Sequence, residues 1–305
     1  MTTGTPNALA DLYKSSPSLD QFLKGADRAA ASDAPILILG EPGTGRSSLA
    51  RCLHAASNRA HGPLVEVDIS SIPSTLFESE LFGHRAGAFT GADDTVAGRV
   101  QLAFEGSLLL DHVEEIPVGS QPKLLRLLAE NRFAPLGGQE READVRFLGI
   151  GSEDLRDRVA RGTFREDLFY RLEVVTLRMP PLRERLDDLR PLLEYFVDDL
   201  RVRFGFEQLE ISSNALSWMR DYTWPGNLRE MRNILERAAI AEGDQVVDPP
   251  CPDRRGGAPE PLHEVEQRQI LRALAYTRGH QGKAAELLGI SRKTLWEKRR
   301  RLGIP

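Results

Sequence analysis

The sequence ILILGEPGTGRSSLA, residues 36–50, places an apolar run directly before a glycine-rich turn and a helix-like segment. A short, fully apolar run is typical of a strand buried on both faces of a parallel sheet. The turn follows the spacing G-x-x-x-x-G-K-[ST], except that Arg46 stands at the lysine position. Glycines at this spacing let backbone N–H groups surround a phosphate chain at a helix N-terminus. An ordinary glycine-rich turn between a strand and a helix is the alternative interpretation.

The turn therefore supplies a set of candidate nucleotide-binding residues. They are Gly40, Glu41, Pro42, Gly43, Thr44, Gly45, Arg46, Ser47 and Ser48. The hydroxyl of Ser47 is suited to Mg²⁺, a cation that prefers oxygen ligands. Arg46 keeps the positive charge of the missing lysine, but its guanidinium is a planar fork and not a compact ammonium. The turn thus predicts nucleotide binding, with a geometry at the terminal phosphate that differs from that of a lysine.

The region around this turn alternates between strand-like and helix-like patterns. Apolar runs predict strands at APILILG, PLVEVDI, GSLLLD, DVRFLGI and VVTLRMP, and helices at SSLARCLHAASN and QPKLLRLLAENR. Alternation of this kind predicts a doubly wound α/β domain with a parallel sheet. Residues 186–242 lose the strand pattern and show helical periodicity, which predicts a helical lid. We expect an α/β core at 1–185, the lid at 186–242, a Pro- and Gly-rich linker at 243–261, and a small all-α domain at 262–305.

Composition excludes several classes of protein. The 305 residues contain no apolar run of about 20 residues and no signal-like start, so neither a membrane span nor secretion is predicted. The two cysteines lack metal-ligand spacing and suit a reduced cytoplasm.

The net charge of −5 hides an asymmetry, because residues 262–305 hold ten Lys or Arg against four Glu. A basic module on an acidic body indicates a local anionic partner.

The basic C-terminal segment has the pattern of a helix-turn-helix. Helices are predicted at about 262–276, 282–288 and 292–302, with Gly289 in the turn and Ser291 capping the last helix. Ala285, Leu288, Ile290 and Leu295 are the predicted core. At the start of the third helix, Arg292, Lys293 and Thr294 are placed to reach the major groove, and Lys298, Arg299 and Arg300 to contact phosphates. A basic helix that is merely solvated is the alternative.

Further motifs resemble one known family. GAFTGA at residues 87–92, preceded by ESELFGH, is similar to the loop of bacterial enhancer-binding proteins, the AAA+ activators of sigma-54 RNA polymerase. GTFREDLFYRL (162–172), MPPLRER (179–185), WPGNLREMRNILERA (224–238) and a Fis-type helix-turn-helix follow in the family's order. The resemblance covers nearly the whole chain. Within the family, the chain looks like the short members that lack a receiver domain.

The resemblance implies ATP and Mg²⁺ as ligands, a homo-oligomeric ring of six subunits, and binding to double-stranded DNA upstream of promoters. Sigma-54 would be contacted by Gly87, Ala88, Phe89, Thr90, Gly91 and Ala92, with Phe89 and Thr90 at the tip. Asp111 would hold Mg²⁺ with Ser47. Arg165 and Arg171 match arginines that reach a neighbouring subunit's nucleotide, where an arginine supplied in trans stabilises charge on the phosphoryl group. Pairing of these arginines with Glu166 and Asp167 is the alternative. Arg229 matches the family's nucleotide sensor on the lid.

Four positions depart from the family pattern at the site of hydrolysis. The loop lysine is Arg46, and the catalytic glutamate after Asp111 is His112. The sensor asparagine is Ser152, and the asparagine that pairs with the glutamate is Asp68. His112 could act as the base if Asp68 holds it, because a neutral imidazole can accept a proton from water. Glu114 would share a face with His112 only if the strand continued, and a buried His112 with no catalytic duty is the remaining alternative.

Together these patterns predict a cytoplasmic, sigma-54-dependent transcriptional activator whose AAA+ ring is driven by ATP. The alternative is a hydrolysis-impaired, nucleotide-binding DNA regulator that acts as a repressor or in a mixed ring with a competent homologue. The intact GAFTGA sequence favours the first function, and the four substitutions favour the second. A metabolic kinase has little support because no acceptor site is visible.

Overall fold

Our computed structural model describes residues 17–251, 266, 269, 270, 273, 274, 277 and 280–302. Most of the predicted helix at 262–276 and residues 252–261 of the predicted linker lie outside the described residues. The chain divides into two units, Met1–Pro250 and Cys251–Pro305.

A five-stranded parallel sheet forms the centre of the first unit, at the five places where the sequence predicts strands. The strands are β1 (Ile36–Leu39), β2 (Leu64–Asp68), β3 (Ser107–Asp111), β4 (Arg146–Gly151) and β5 (Val175–Arg178). Their order in the sheet is β2-β3-β4-β1-β5. The register pairs Asp68 with Asp111 at the carboxyl edge of the sheet. This edge is where open parallel sheets bind ligands, and the predicted fold class is confirmed.

Helices cover both faces of the sheet, which explains why its inner strands β1, β3 and β4 are buried and mostly apolar. The helices of the core are α1 (Asp20–Ala30), α2 (Arg46–Ala55), α3 (Phe77–Phe82), α4 (Arg99–Leu102), α5 (Gln121–Glu130), α6 (Leu155–Ala160) and α7 (Glu166–Leu172). Ile36 and Ile38 of β1 face one apolar cluster with α1 and α2. Leu37 and Leu39 of the same strand face the other cluster, with α5 and α7. Alternate residues of one strand are thus buried on opposite sides.

Two short antiparallel pairs project from the core between the main strands. Gly83–His84 pairs with Val96–Ala97, and Arg132–Phe133 pairs with Arg141–Glu142. A bridge between His84 and Leu136 connects the first pair to the segment that joins the two strands of the second pair. The segment between His84 and Val96, which contains GAFTGA, is therefore anchored at both ends.

The lid consists mainly of α8 (Leu189–Phe204), α9 (Ser213–Asp221) and α10 (Asn227–Glu242) around a separate apolar core. Trp224 is fully buried at its centre and donates its indole N–H to the Met219 carbonyl at 3.0 Å. The strand pair Glu210–Ile211 and Val246–Val247 was not predicted by the helical periodicity. A two-residue strand is too short to produce an alternating pattern in the sequence.

The second unit contains α11 (Gln281–Leu287) and α12 (Arg292–Arg301). Gly289 takes a φ of +65° in the turn between them, and the Ser291 side chain accepts the Thr294 N–H at 3.1 Å as the predicted cap. Ala285 and Leu295 are buried, with Leu288 and Ile290 packed beside them. None of the described helices combines the length and apolar character that a membrane span requires.

Candidate functional site

The phosphate loop lies at the carboxyl edge of the sheet, between β1 and α2. Gly43 and Gly45 have φ values of +80° and +101°, a region that L-residues with side chains rarely adopt. Thr44 is fully buried and its hydroxyl donates to the Glu41 carbonyl at 2.8 Å, which holds the loop closed on itself. The first N–H groups of α2 have no partner within the helix. The loop therefore has the backbone form and the donors that a phosphate chain requires.

The lid is attached directly to this loop. The Leu228 N–H donates to the Gly43 carbonyl at 2.9 Å, and a Cβ at Gly43 would lie 2.4 Å from the Gly226 oxygen. The same hypothetical Cβ would lie 3.1 Å from the Cβ of Arg229, so this predicted residue lies beside the loop. The candidate nucleotide-binding residues of the core and of the lid are thus brought together.

Asn227 is a buried polar connection between lid and loop, and it is not among the site residues predicted from the sequence. It is fully buried, with its amide donating to Glu41 Oε2 and to the Pro42 carbonyl, both at 3.1 Å. Its amide oxygen accepts the Leu182 N–H at 2.8 Å. Arg183 pairs with Glu41 at 2.6 Å and lowers the pKa of that carboxyl. The signal available in the sequence was a polar residue in the first turn of an amphipathic helix, next to the first apolar residue of its buried face.

Ser47 and Asp111 form the candidate Mg²⁺ position. Ser47 Oγ donates to Asp111 Oδ2 at 3.3 Å, so a hydroxyl and a carboxylate stand side by side at the edge of the sheet. Two oxygen donors of this kind fit Mg²⁺, which keeps most of its waters and takes few protein ligands. No group of three or more His, Cys, Asp and Glu among the described residues is arranged to hold a metal ion.

Arg46 leaves the loop and reaches the end of β4. Its guanidinium is nearly buried and donates to the Gly151 carbonyl. Burial lowers the pKa of Arg46, and the nearby carboxylates of Asp111 and Glu114 oppose that effect. The side chain at the lysine position is therefore engaged by the protein itself.

His112 contacts Asp68, a contact that sequence alone could not establish. The β3 strand ends at Asp111, and His112 follows with a left-handed φ of +59°. His112 Nδ1 lies 3.0 Å from Asp68 Oδ1, and Ser70 donates its hydroxyl to the same oxygen at 2.7 Å. The Ser70 hydroxyl, followed by His112, holds the pKa of Asp68 below its ordinary value. Because a carboxylate only accepts hydrogen bonds, Nδ1 is the donor in this pair, and in the neutral tautomer that carries its proton on Nδ1 the Nε2 atom is an acceptor.

Glu114 does not share a strand face with His112, because the strand ends before either residue. It lies in the 3-10 turn Val113–Glu115, with only 9% of its surface exposed. Its Oε2 accepts the Ser152 N–H at 3.2 Å, at the end of β4. The Ser152 hydroxyl is directed instead to Asp154. Glu114 thus adds a third carboxyl group, after Asp68 and Asp111, to this edge of the sheet.

Arg165 and Arg171 are exposed, and the guanidinium of each is hydrogen-bonded within the α/β core. Arg165 pairs with Asp167 at 2.7 Å, the partner that the alternative interpretation names. Arg171 donates to the Leu128 carbonyl at 3.0 Å, at the end of α5. The Arg165 N–H is held by the buried Gln121, at 2.8 Å from its side-chain oxygen. Neither guanidinium has a hydrogen bond to the phosphate loop, and both remain on the outer surface of this unit.

The GAFTGA segment forms a tight exposed loop. The Gly87 N–H donates to the Ala92 carbonyl at 2.8 Å, which closes the loop at its base, while Ala92 itself is buried. Phe89 is 41% exposed at the tip and Thr90 beside it is exposed. The Phe89 and His84 rings form a T-shaped pair, with centroids 5.0 Å apart. One large apolar side chain is therefore presented at the end of a closed loop.

The helix α12 carries the predicted DNA-binding residues. Arg292 and Lys293 are exposed at its start, while Thr294 is half-buried against the Ser291 cap at 2.8 Å. Arg300 is exposed and its guanidinium lies over the Trp296 ring, 5.6 Å from the centroid. Lys298 and Arg299 are half-buried, and Lys298 pairs with Glu266. Arg292, Lys293 and Arg300 are thus the more accessible members of this set.

Family models match three consecutive parts of the chain. The sigma-54 interaction domain matches residues 12–178, the AAA+ ATPase lid domain residues 183–250, and the Fis family of bacterial regulatory proteins residues 261–302. The first match alone spans more than half of the chain, and it contains both the phosphate loop and the exposed loop.

Similar proteins include transcriptional regulators from several bacteria. The regulatory protein AtoC of Escherichia coli (strain K12) is 38% identical over 96% of this chain and 68% of its own. The DNA-binding transcriptional regulator NtrC of Bradyrhizobium sp. (strain RP501 Parasponia) is 37% identical over 95% of this chain and 69% of its own. The crystal structure of NtrX from Brucella abortus in complex with ATP is similar with a TM-score of 0.70 and 32% identity, over 95% of this chain and 68% of that chain.

Proposed function

The chain belongs to the bacterial enhancer-binding family of sigma-54-dependent transcriptional regulators, and from that premise we propose that it is an activator controlled by nucleotide. The exposed GAFTGA loop with Phe89 at its tip is the observation that carries this proposal. An apolar side chain at the end of a closed, glycine-flanked loop is suited to enter a pocket of a partner, and here that partner is sigma-54 in the RNA polymerase holoenzyme. Such a protein works in the cytoplasm.

ATP is the proposed nucleotide, held between the phosphate loop and the lid. NtrX from Brucella abortus, the similar protein, has been crystallised with ATP and with ADP. In this chain the loop residues 40–48 surround the phosphates, Arg229 approaches from the lid, and Ser47 and Asp111 hold Mg²⁺, which neutralises phosphate charge. The Leu228–Gly43 hydrogen bond supports this arrangement, because a ligand at the loop would lie beside the lid.

The working form that we propose is a homo-oligomeric ring of six subunits. Arg165 and Arg171 are exposed and stay away from their own phosphate loop, which suits residues that act on a neighbouring subunit's nucleotide. The second unit would bind double-stranded DNA upstream of the promoter through Arg292, Lys293, Thr294 and the phosphate-contacting Lys298, Arg299 and Arg300. Nucleotide state would then move the Phe89 loop while DNA holds the ring near the promoter.

Hydrolysis in this chain would depend on His112 as the base. Asp68 holds Nδ1, so Nε2 of the neutral imidazole is the atom that can accept a proton from water. One observation favours a second candidate function. The Arg46 guanidinium donates to the Gly151 carbonyl, so this hydrogen bond competes with a bond to a bound phosphate. In that case the chain binds nucleotide with impaired hydrolysis and acts as a repressor, or in a mixed ring with a competent homologue.

The proposal is tested by open-complex formation on a sigma-54 promoter with the holoenzyme, ATP and this protein. Phe89→Ala should reduce open complexes to background and leave the DNA footprint unchanged, because only the tip of the loop is removed. Phe204→Ala, at the end of α8 with a similarly exposed ring (38%), is the matched control and should retain activity.

Three results would change the assignment. Open complexes of wild-type yield with Phe89→Ala would contradict the role of the loop. No open complex with the wild-type chain alone, but complexes when a competent homologue is added, would favour the mixed ring. Loss of open complexes when the wild-type chain is added to an active homologue would favour a repressor.

A further inference from the structure

The buried carboxylate of Glu114 and the guanidinium of Arg46 hold the same peptide group. Arg46 donates to the Gly151 carbonyl, and Glu114 Oε2 accepts the Ser152 N–H at 3.2 Å. These two backbone groups belong to the peptide bond that joins Gly151 to Ser152. Because this peptide is trans, its carbonyl and N–H point in opposite directions, and the two side chains approach it from opposite sides.

This peptide lies at the carboxyl edge of the sheet, beside the phosphate loop. The register pairs Asp111 with Ile150, so the peptide after Gly151 is beyond the residues that pair with β3. The fit over Gly151 is close, since a Cβ there would lie 3.0 Å from Val113 Cγ2 and 3.4 Å from Glu114 Oε2. The Glu114 side chain therefore occupies the space above this glycine.

The negative charge of Glu114 offsets the positive charge of Arg46, the residue at the lysine position of the phosphate loop. A carboxyl group as buried as Glu114 is rare in proteins unless it is paired. Burial removes water from the charged Arg46 guanidinium, which disfavours its charge. The nearby carboxylates of Asp111 and Glu114 favour that charge and so oppose the effect of burial. The residue at this position of a phosphate loop is the one that reaches the β- and γ-phosphates of a nucleotide. A terminal phosphate would meet a guanidinium that Glu114 partly neutralises.

We propose that Glu114 determines how strongly the site distinguishes a nucleoside triphosphate from a nucleoside diphosphate. It holds Arg46 at the end of β4 through the Gly151–Ser152 peptide, and it repels the additional negative charge of a third phosphate. The proposal rests on the proposed function, because it takes the loop to be a nucleotide site. Glu114 is a positioning and specificity residue here, and it takes no proton in the reaction.

The test is the ratio of affinities of the full chain for a non-hydrolysable ATP analogue and for ADP, both with Mg²⁺, measured by titration calorimetry. Glu114→Gln removes the charge and keeps the size of the side chain. By Coulomb's law at an effective dielectric constant of about 20, removing a unit charge about 10 Å from a phosphate changes an affinity by roughly tenfold. The affinity for the analogue should rise by about tenfold relative to that for ADP.

Glu115→Gln is the matched control. Glu115 is the next residue, but its carboxylate is half-exposed and pairs with Arg158 at 3.0 Å. It should leave the ratio as in the wild-type protein. An equal rise in both variants would overturn the proposal, because it would show a general effect of charge. An unchanged ratio in a folded Glu114→Gln variant would also overturn it.

Glu114→Asp covers the case in which Glu114→Gln fails to fold. It keeps the charge but withdraws the carboxylate from the Ser152 N–H by one methylene, so the ratio should rise by a few-fold. A wild-type ratio in a folded Glu114→Asp variant overturns the proposal. If the wild-type chain binds neither nucleotide, the nucleotide site of the proposed function is itself contradicted. Wild-type binding with an unmoved ratio contradicts only the role of Glu114.

Discussion

At the scale of single residues, two of the four positions that depart from the family pattern contact each other. Asp68 and His112 stand where the family pattern has an asparagine and a glutamate, and they are paired at 3.0 Å. The pairing follows from the sheet, because β2 lies beside β3 and their last residues are in register. Two substitutions that look like separate losses in the sequence are therefore one hydrogen-bonded unit in the structure.

The residue-scale prediction concerns the role of this pair in ATP turnover. His112→Gln keeps a polar side chain but cannot accept a proton as a base, so turnover should fall by about 10²–10⁴-fold. Asp68→Asn should cause a smaller loss, because the imidazole remains but loses the carboxylate that orients it. Steady-state phosphate release, measured at saturating ATP, is the readout.

Glu66→Gln is the control for that measurement. Glu66 lies on the same strand as Asp68, but its carboxylate pairs with Arg51 at 2.7 Å on the surface. Turnover of His112→Gln equal to that of the wild-type protein would exclude His112 as the base. No turnover in the wild-type chain, restored by His112→Glu, would favour the hydrolysis-impaired alternative.

At the scale of elements, the start of α10 connects the lid to the phosphate loop. Asn227 has a φ of +51°, and its side chain is bonded to the Leu182 N–H, to Glu41 and to Pro42. Sequence patterns predict the helix but not these partners. The partners belong to segments far along the chain, whereas helical periodicity reports only on residues within a few turns.

The element-scale prediction is that Asn227→Gly lowers the free energy of unfolding by about 1–3 kcal/mol, because it leaves the Leu182 N–H buried without a partner. Glycine adopts a positive φ without strain, so the change isolates the lost hydrogen bonds. Asn131→Gly is the matched control, since Asn131 is exposed with a φ of +53° at the end of α5. Chemical denaturation measures both variants. Equal stability of the two would contradict a structural role for the Asn227 side chain.

At the scale of the whole molecule, stability of the first unit should depend on pH through His54. This residue is buried at the end of α2, with Nδ1 2.9 Å from the Ser107 hydroxyl, and burial lowers its pKa from the ordinary value of 6.5. The unfolded chain therefore binds a proton at a pH where the folded protein does not. The contribution of His54 to the free energy of unfolding is fully present above about pH 6.5, and it decreases as the pH falls below that value.

The measurement is the thermal midpoint of wild type, His54→Gln and His61→Gln between pH 7.5 and pH 5. His61 is exposed and serves as the control. The midpoint of His54→Gln should decrease less steeply with falling pH than the midpoints of the other two proteins. Parallel curves for all three proteins would exclude His54 as a source of the pH dependence.

Local patterns were sufficient for the parts of this molecule that depend on neighbours in the chain. The apolar runs predicted all five strands of the sheet, and the glycine spacing at 40–47 predicted the loop between β1 and α2. The Ser291 cap and the Gly289 turn were predicted as well, because a cap and a turn are formed by residues two or three positions apart. The motifs in their order also identified the family, and the family models confirm it.

Only the tertiary structure decides which side chains form the hydrogen bonds of the candidate nucleotide site. Arg46 meets Gly151 across 105 positions of sequence, Asn227 meets Glu41 across 186, and Glu114 meets Ser152 across 38. Periodicity and spacing carry no information about such distances. The order of parallel strands decides which carboxyl ends are adjacent, and the packing of the lid decides which buried polar groups find partners there.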